Sequence, residues 1–237
     1  MEVKIRTMVL QERGPRPVVM ALIPAYNEER KVADVVAQCL PLVDYVVVVD
    51  DGSVDGTARK ARQAGAVVLS QPRNMGKGAA LERGFRRAQG CGVEYIITLD
   101  GDGQHPPKHI PQFVAQLERG YDVVLGNRMA DLSGMPLERR FSNLSTSLVI
   151  SLIAGQYIPD SQNGYRGIAT RVVNGMTFTK RGFELEAELL FKASRLGYRI
   201  GNTPIKTVYT GEEQSKINVV MDTARFLIYF VQEIFNR

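Results

Sequence analysis

The sequence predicts an α/β protein built on a doubly wound, mostly parallel sheet with helices on both faces. Three observations predict it. Short apolar runs alternate with segments of helical periodicity, the runs lack the polar alternation of a half-exposed strand, and polar clusters follow them. In such sheets ligands bind beyond the carboxyl ends of the strands. The clusters at Pro24–Glu28, Asp50–Ser53, Asn74–Gly78 and Asp100–Gln104 therefore point to an enzyme or a nucleotide binder.

The elements follow in order. Val18–Ile23 is a buried strand stopped by Pro24, and Asn27–Leu40 places Val32, Val35, Val36 and Leu40 at helical spacing. Tyr45–Val49 is a second buried strand, ended by Asp50-Asp51-Gly52-Ser53. Asp55 or Thr57 starts a helix that runs through Ala64. Val67–Leu69 is a third strand, Gly78–Ala88 a third helix, and Tyr95–Leu99 a fourth strand ended by Asp100-Gly101-Asp102. Ile110–Leu117 is helical and Asp122–Leu125 is a strand.

After Met129 the pattern changes. Phe141–Pro159 carries no charged side chain. Phe141, Leu144, Leu148, Val149, Leu152 and Ile153 share one helical face, opposite Ser142, Asn143, Ser145, Thr146 and Ser151. This segment reads either as a helix docked on the sheet or as one lying in a lipid interface, with Arg139 and Arg140 toward anionic head groups. From Ile217 the chain again looks helical, and its apolar run Phe226–Val231 is too short to span a bilayer. Residues 1–17 read as an extension and 18–237 as one domain ending in an amphipathic helix.

With 237 residues, 44% hydrophobic and 23% charged, the chain is long and apolar enough for one large ordered domain. A formal charge of +5 suits anionic partners such as nucleotides, phosphates or an acidic membrane surface. No basic block interleaved with aromatics appears, which excludes nucleic acid as the expected partner. Cys39 and Cys91 sit in no CxxC or Cys/His spacing, so no disulfide scaffold is expected. Met1–Arg16 has no apolar signal region and no stretch is long enough to span a membrane, so a soluble or peripheral protein is expected.

Asp100-Gly101-Asp102-Gly103-Gln104-His105 is the strongest chemical cluster. Its carboxylates can reach a hard cation such as Mg²⁺ or Mn²⁺ and leave positions open for phosphate oxygens and water. Alone, it also admits a reading as a polar turn capping the next helix. Asp50–Ser53 could likewise bind a base or ribose, or serve as an N-cap. Arg73–Gly78 resembles a small anion loop at a helix start, without the Walker spacing. His105 and His109 are four apart, but no HExxH pattern surrounds them.

Together these pieces resemble the family 2 inverting glycosyltransferases of the GT-A fold. Ile23–Glu29 is similar to that family's donor-binding loop, Val47–Thr57 to its second signature, Asn74–Gly78 to its third, and Asp100–Pro107 to its metal signature. Gly126-Asn127-Arg128, Asn163-Gly164-Tyr165-Arg166 and Ser215-Lys216-Ile217 resemble later motifs of the polyprenyl-phosphate subgroup. The resemblance implies a GT-A fold and transfer of a hexose from a nucleoside-diphosphate sugar, of the GDP-mannose or UDP-glucose type, to a polyprenyl phosphate of the dolichyl type. It implies Mg²⁺ or Mn²⁺ as cofactor, and contact with the cytoplasmic face of a membrane, either peripheral or through a membrane-protein partner.

It also implies roles. Pro24, Tyr26, Glu28, Val49 and Asp51 would hold the nucleoside. Asp100 and Gly101 would line the donor site, and Asp102 and Gln104, with Asp100 beside them, would form the metal set. Arg128 and Lys216 would engage phosphates, and Arg140 would help hold the acceptor phosphate. Asp102, Arg128 and Arg140 are the catalytic candidates. One departure is visible: members of the subgroup often carry an arginine just before the Ser-Lys pair, whereas Thr210–Gln214 contains none. Mannose is therefore not assigned.

A phosphate acceptor is already largely dianionic at neutral pH, with a second pKa near ~6, and requires no protein base. A hydroxyl acceptor would need a carboxylate, for which Glu184, Glu186 and Glu188 are candidates. At least two of these are expected on an ordinary solvated helix face. The remaining alternatives are a non-catalytic nucleotide-sugar binder, which the intact Asp102 and Gln104 oppose, and a nucleotidyltransferase. The latter is disfavoured by Pro24–Asn27 standing where a Gly-rich loop would lie.

Overall fold

The computed structural model describes residues 16–130, 137–182 and 184–206. Its strands are β1 (Val19–Ala25), β2 (Tyr45–Asp50), β3 (Val67–Ser70), β4 (Tyr95–Thr98), β5 (Val123–Asn127), β6 (Arg166–Ala169) and β7 (Ile200–Pro204). Its helices are α1 (Val32–Cys39), α2 (Thr57–Gln63), α3 (Lys77–Gln89), α4 (Ile110–Glu118), α5 (Leu137–Ala154), α6 (Thr170–Asn174) and α7 (Glu184–Arg195). The strands form one sheet in the order β3-β2-β1-β4-β6-β5-β7. Only β6 runs antiparallel to its neighbours, so the carboxyl ends of β1, β2, β4 and β5 open on one edge.

Both faces of the sheet are covered, which is why all seven residues of β1 are buried and apolar alternation is lost. Leu22 faces α3. A Cβ on Gly84 of α3 would lie 2.2 Å from Leu22 Cδ1, so glycine lets helix and strand touch. Ala21 points the other way, in register with Ile97, whose own partner in β6 is Gly167. Gly167 lies under Phe113 and Leu117 of α4, which places that helix on the opposite face.

The first helix is shorter than its periodicity suggests, beginning at Val32 instead of Asn27. Residues 27–29 are consumed in joining two loops. Asn27 adopts φ 55°, its N–H donates to Ser53 Oγ, and its Oδ1 accepts the Val54 N–H. Glu28 N–H donates to Thr57 Oγ1, and Gly56 N–H donates to Glu29 Oε2.

Helix α5 leaves much of its apolar face exposed. Asn143, Thr146 and Ser147 are buried together with Ile150 and Ala154, whereas Phe141 is 77% exposed and Leu152 75%, with Leu144 and Leu148 also exposed. The polar groups that turn inward meet polar partners. Ser147 Oγ accepts the Ser161 N–H at 2.9 Å, Ser151 Oγ accepts the Ile158 N–H at 2.9 Å, and Asn143 donates to Asp160 at 2.8 Å. No helix among the described residues is long and apolar enough to cross a membrane. The expected C-terminal helix and residues 1–15 lie outside the described residues.

Candidate functional site

The loops after β1, β2, β4 and β5 converge at one sheet edge. Pro24 and Val49 are register partners at the ends of β1 and β2. Val49 is completely buried and offers no surface to a ligand, unlike the half-buried Tyr26 and Glu28. At the end of β2, Gly52 adopts φ 72°, and a Cβ there would lie 2.3 Å from the Arg73 carbonyl carbon. Glycine is required for the Arg73 backbone to come this close.

Asp51 is buried at this strand end and turned into the protein. Its carboxylate accepts from Gln71 Nε2 at 2.6 Å, Met75 N–H at 2.8 Å and Gly76 N–H at 2.9 Å. The Asn74–Gly78 loop therefore already has an anion, supplied by the chain itself. Ala79 N–H, at the start of α3, is taken by the Arg181 carbonyl. Asp51 supports this loop from behind.

The cluster after β4 divides into two parts. Asp100 Oδ1 pairs with Lys77 Nζ at 2.7 Å, and Lys77 also reaches Glu186 Oε1 at 3.3 Å. Burial alone would lower the Lys77 ammonium, but Asp100 and Glu186 outweigh it and raise it. Asp100 moves the other way. Burial would raise its carboxyl, yet Lys77 above all holds it well below the usual range. His105 is buried, and burial pushes its imidazole down to about 4, so it is neutral at pH 7. Its Nδ1 accepts the Asp100 N–H at 3.3 Å, which puts the ring proton on Nε2.

Asp102 and Gln104 form the second part. Both are partly exposed, and Asp102 Oδ1 accepts the Gln104 N–H at 3.0 Å in a tight turn with Gly103 at φ 76°. Carboxylate and amide oxygens suit a hard divalent cation whose coordination is completed by phosphate and water. Asp100 has its Oδ1 on Lys77 Nζ at 2.7 Å. Among the described residues no three His, Cys, Asp or Glu side chains gather as a metal cluster.

After β5, Arg128 is clamped by Asp160. Arg128 Nε donates to Oδ2 and its terminal nitrogen to Oδ1, both at 2.8 Å, and its backbone N–H adds a third bond at 3.0 Å. Asp160 is fully buried and also accepts Asn143 Nδ2 from α5. In the sequence Asn143 reads only as part of a polar helical face, and Asp160 only as the first charge after the uncharged stretch ending at Pro159. Arg166 has a structural use, since it is buried and donates to the carbonyls of Asn163, Glu186 and Ser161. Arg140 is half-buried near the start of α5, and Lys216 lies outside the described residues.

The expected solvated glutamates are not solvated in two of three cases. Glu188 is fully buried and accepts from Thr179 N–H and Oγ1, Lys180 N–H and Lys192 Nζ. Glu186 turns into the site against Lys77. Helix α7 packs against α5, β7 and α3, which removes most of the solvent face that the sequence pattern suggested.

Comparison with known proteins agrees with this arrangement. Residues 20–181 match the family described as Glycosyl transferase family 2. The UDP-N-acetylglucosamine–dolichyl-phosphate N-acetylglucosaminyltransferase of Methanococcus voltae is 29% identical over 228 residues, covering 86% of this chain and 90% of its own. The dolichyl-phosphate hexose transferase of Haloferax volcanii is 31% identical, covering 76% and 78%. Among solved structures, glucosyl-3-phosphoglycerate synthase of Mycobacterium tuberculosis, in complex with Mn²⁺ and UDP-glucose, superposes with a TM-score of 0.71. It is 20% identical and covers 96% of this chain and 82% of its own, a likeness of GT-A fold.

Proposed function

The chain belongs to glycosyl transferase family 2 and is a glycosyltransferase, and from that premise we propose that it transfers a hexose from a nucleoside-diphosphate sugar to a polyprenyl phosphate. The donor is of the GDP-mannose or UDP-glucose type. Tyr26 and Glu28 meet the nucleoside beside Pro24, on a floor shaped by Asp51 and Val49. Gly101 lines the donor beside Asp100. Asp102 and Gln104 would hold Mg²⁺ or Mn²⁺, which would supply positive charge for the departing diphosphate.

The reaction is a single in-line displacement. A phosphate oxygen of the acceptor forms a bond to the anomeric carbon as the bond from that carbon to the diphosphate oxygen breaks, with inversion. The acceptor is already an oxyanion, so no proton has to be removed by the protein. Arg128 orients phosphate by charge and hydrogen-bond geometry, and Arg140 and Lys216 add charge around it.

One observation carries the lipid-phosphate reading. The inner face of α5 touches the Arg128 clamp through Asn143, while its outer face presents Phe141, Leu144, Leu148 and Leu152. On this reading the phosphate site lies against the back of an apolar surface, which suits an acceptor with a charged head and a hydrocarbon tail. The same surface supports peripheral contact with a membrane. The relatives named for dolichyl phosphate support the acceptor class. The test is product identification after incubation with labelled donors and a short polyprenyl phosphate. Labelled glycosyl-phospho-polyprenol is expected, and donor hydrolysis without it would direct attention to hydroxyl acceptors.

A further inference from the structure

We propose that Glu186 is the sugar-recognising carboxylate of the donor site, accepting hydrogen bonds from hydroxyls of the hexose. The inference rests on the glycosyltransferase reading above and extends it to a residue that transfer to a phosphate leaves unused. Glu186 is 9% exposed, and its Oε1 is one of two buried side-chain polar atoms among the described residues with no hydrogen-bond partner. Buried polar atoms in native proteins are nearly always satisfied, so an orphaned carboxylate oxygen beside a ligand site points to a ligand that completes it.

The surroundings define that ligand. Lys77 stands 3.3 Å from Oε1, but its short contact is the 2.7 Å pair with Asp100. Two carboxylates share one ammonium, with the buried Arg166 guanidinium close enough to feel both charges. An ionised carboxylate only accepts hydrogen bonds, so it offers nothing to a deprotonated diphosphate. A neutral group carrying several hydroxyl donors fits it, and a carboxylate offers about four lone-pair sites to such donors.

Gly164 keeps the meeting point open. A Cβ there would lie 2.6 Å from Lys77 Nζ, 3.0 Å from Glu186 Oε1 and 3.2 Å from Asp100 Oδ2. Glu188, two residues along the same helix, is not equivalent, since it is spent on Thr179, Lys180 and Lys192.

The experiment compares nucleotide with nucleotide sugar. Calorimetric titration of wild type, Glu186→Gln and Gly164→Ala uses GDP against GDP-mannose and UDP against UDP-glucose, at one Mg²⁺ concentration. For the pair that wild type binds, each variant is expected to weaken the nucleotide sugar by about tenfold or more and the free diphosphate by less than about twofold. Equal loss for both ligands, or loss for neither, overturns the proposal. Intact donor affinity with turnover abolished in Glu186→Gln overturns it in favour of a general base. If wild type binds no nucleotide sugar, the donor reading falls and this inference with it.

Discussion

Arg128 and Asp160, 32 residues apart, form a two-pronged ion pair at the edge of the sheet, with both nitrogen–oxygen distances 2.8 Å. The carboxylate is completely buried and the guanidinium side chain 18% exposed. A third arm, Asn143 Nδ2, binds the same carboxylate from α5. The arginine proposed to orient phosphate is therefore aimed by a residue that is itself held by the helix with the apolar outer face.

Breaking this pair from either side leaves a charge without its partner in a poorly solvated place. Asp160→Ala and Arg128→Ala are each expected to cost about 3–5 kcal/mol in urea unfolding. The double variant is expected to lose less than the sum of the two. Additive losses would show that the two side chains act independently.

Asp51 supports the loop in front of α3. Asp51→Ala strips the acceptor from Met75 and Gly76 N–H and from Gln71, an expected loss of about 1–3 kcal/mol. Donor titration should show weaker nucleoside-diphosphate binding, because the loop borders the site. Unchanged stability would mean that water replaces the carboxylate at no cost.

His105 gives a pH signature. Its native value of about 4 lies below the ordinary 6.5, so between those values the unfolded chain binds more protons than the native one. The stability it contributes is complete above 6.5 and is lost as pH falls toward 4, about 3 kcal/mol in all. Urea titrations of metal-free protein across that window should show a shallower slope for His105→Gln than for wild type. Identical slopes would assign the acid sensitivity to other groups.

The two faces of α5 should respond oppositely. Leu148→Glu or Leu152→Glu on the outer face is expected to change stability by less than about 0.5 kcal/mol. Either should reduce flotation with anionic phospholipid vesicles. Ser147→Leu on the inner face is expected to destabilise, because it removes the acceptor of the Ser161 N–H and overfills a packed contact. Outer-face variants that bind vesicles as wild type does would count against membrane contact.

The contrast at α5 marks what a sequence can convey. Periodicity showed two unlike faces, but which one turns inward depends on the backbone N–H groups of Ile158 and Ser161 and the carboxylate of Asp160, polar partners that arrive later in the chain. Strands β1 to β5 were legible because each is a continuous apolar run ended by a polar cluster. The reversed direction of β6 was not, since pairing between β4 and β5 sets it. The strand-end clusters were also legible as places. Their orientation was not: Asp51 and Asp100 are both strand-end aspartates, yet one serves backbone N–H groups and the other Lys77. Glu184, Glu186 and Glu188 look alike in sequence, and only the approach of Lys77 and of the 179–180 backbone separates the last two.

The most direct measurement is sugar transfer by wild type and Asp102→Ala with Mg²⁺ or Mn²⁺, offering polyprenyl phosphate and the unphosphorylated polyprenol side by side. Transfer to the phosphate alone is expected, lost on chelation and in Asp102→Ala. Transfer to the free polyprenol, or full activity of Asp102→Ala, would contradict it.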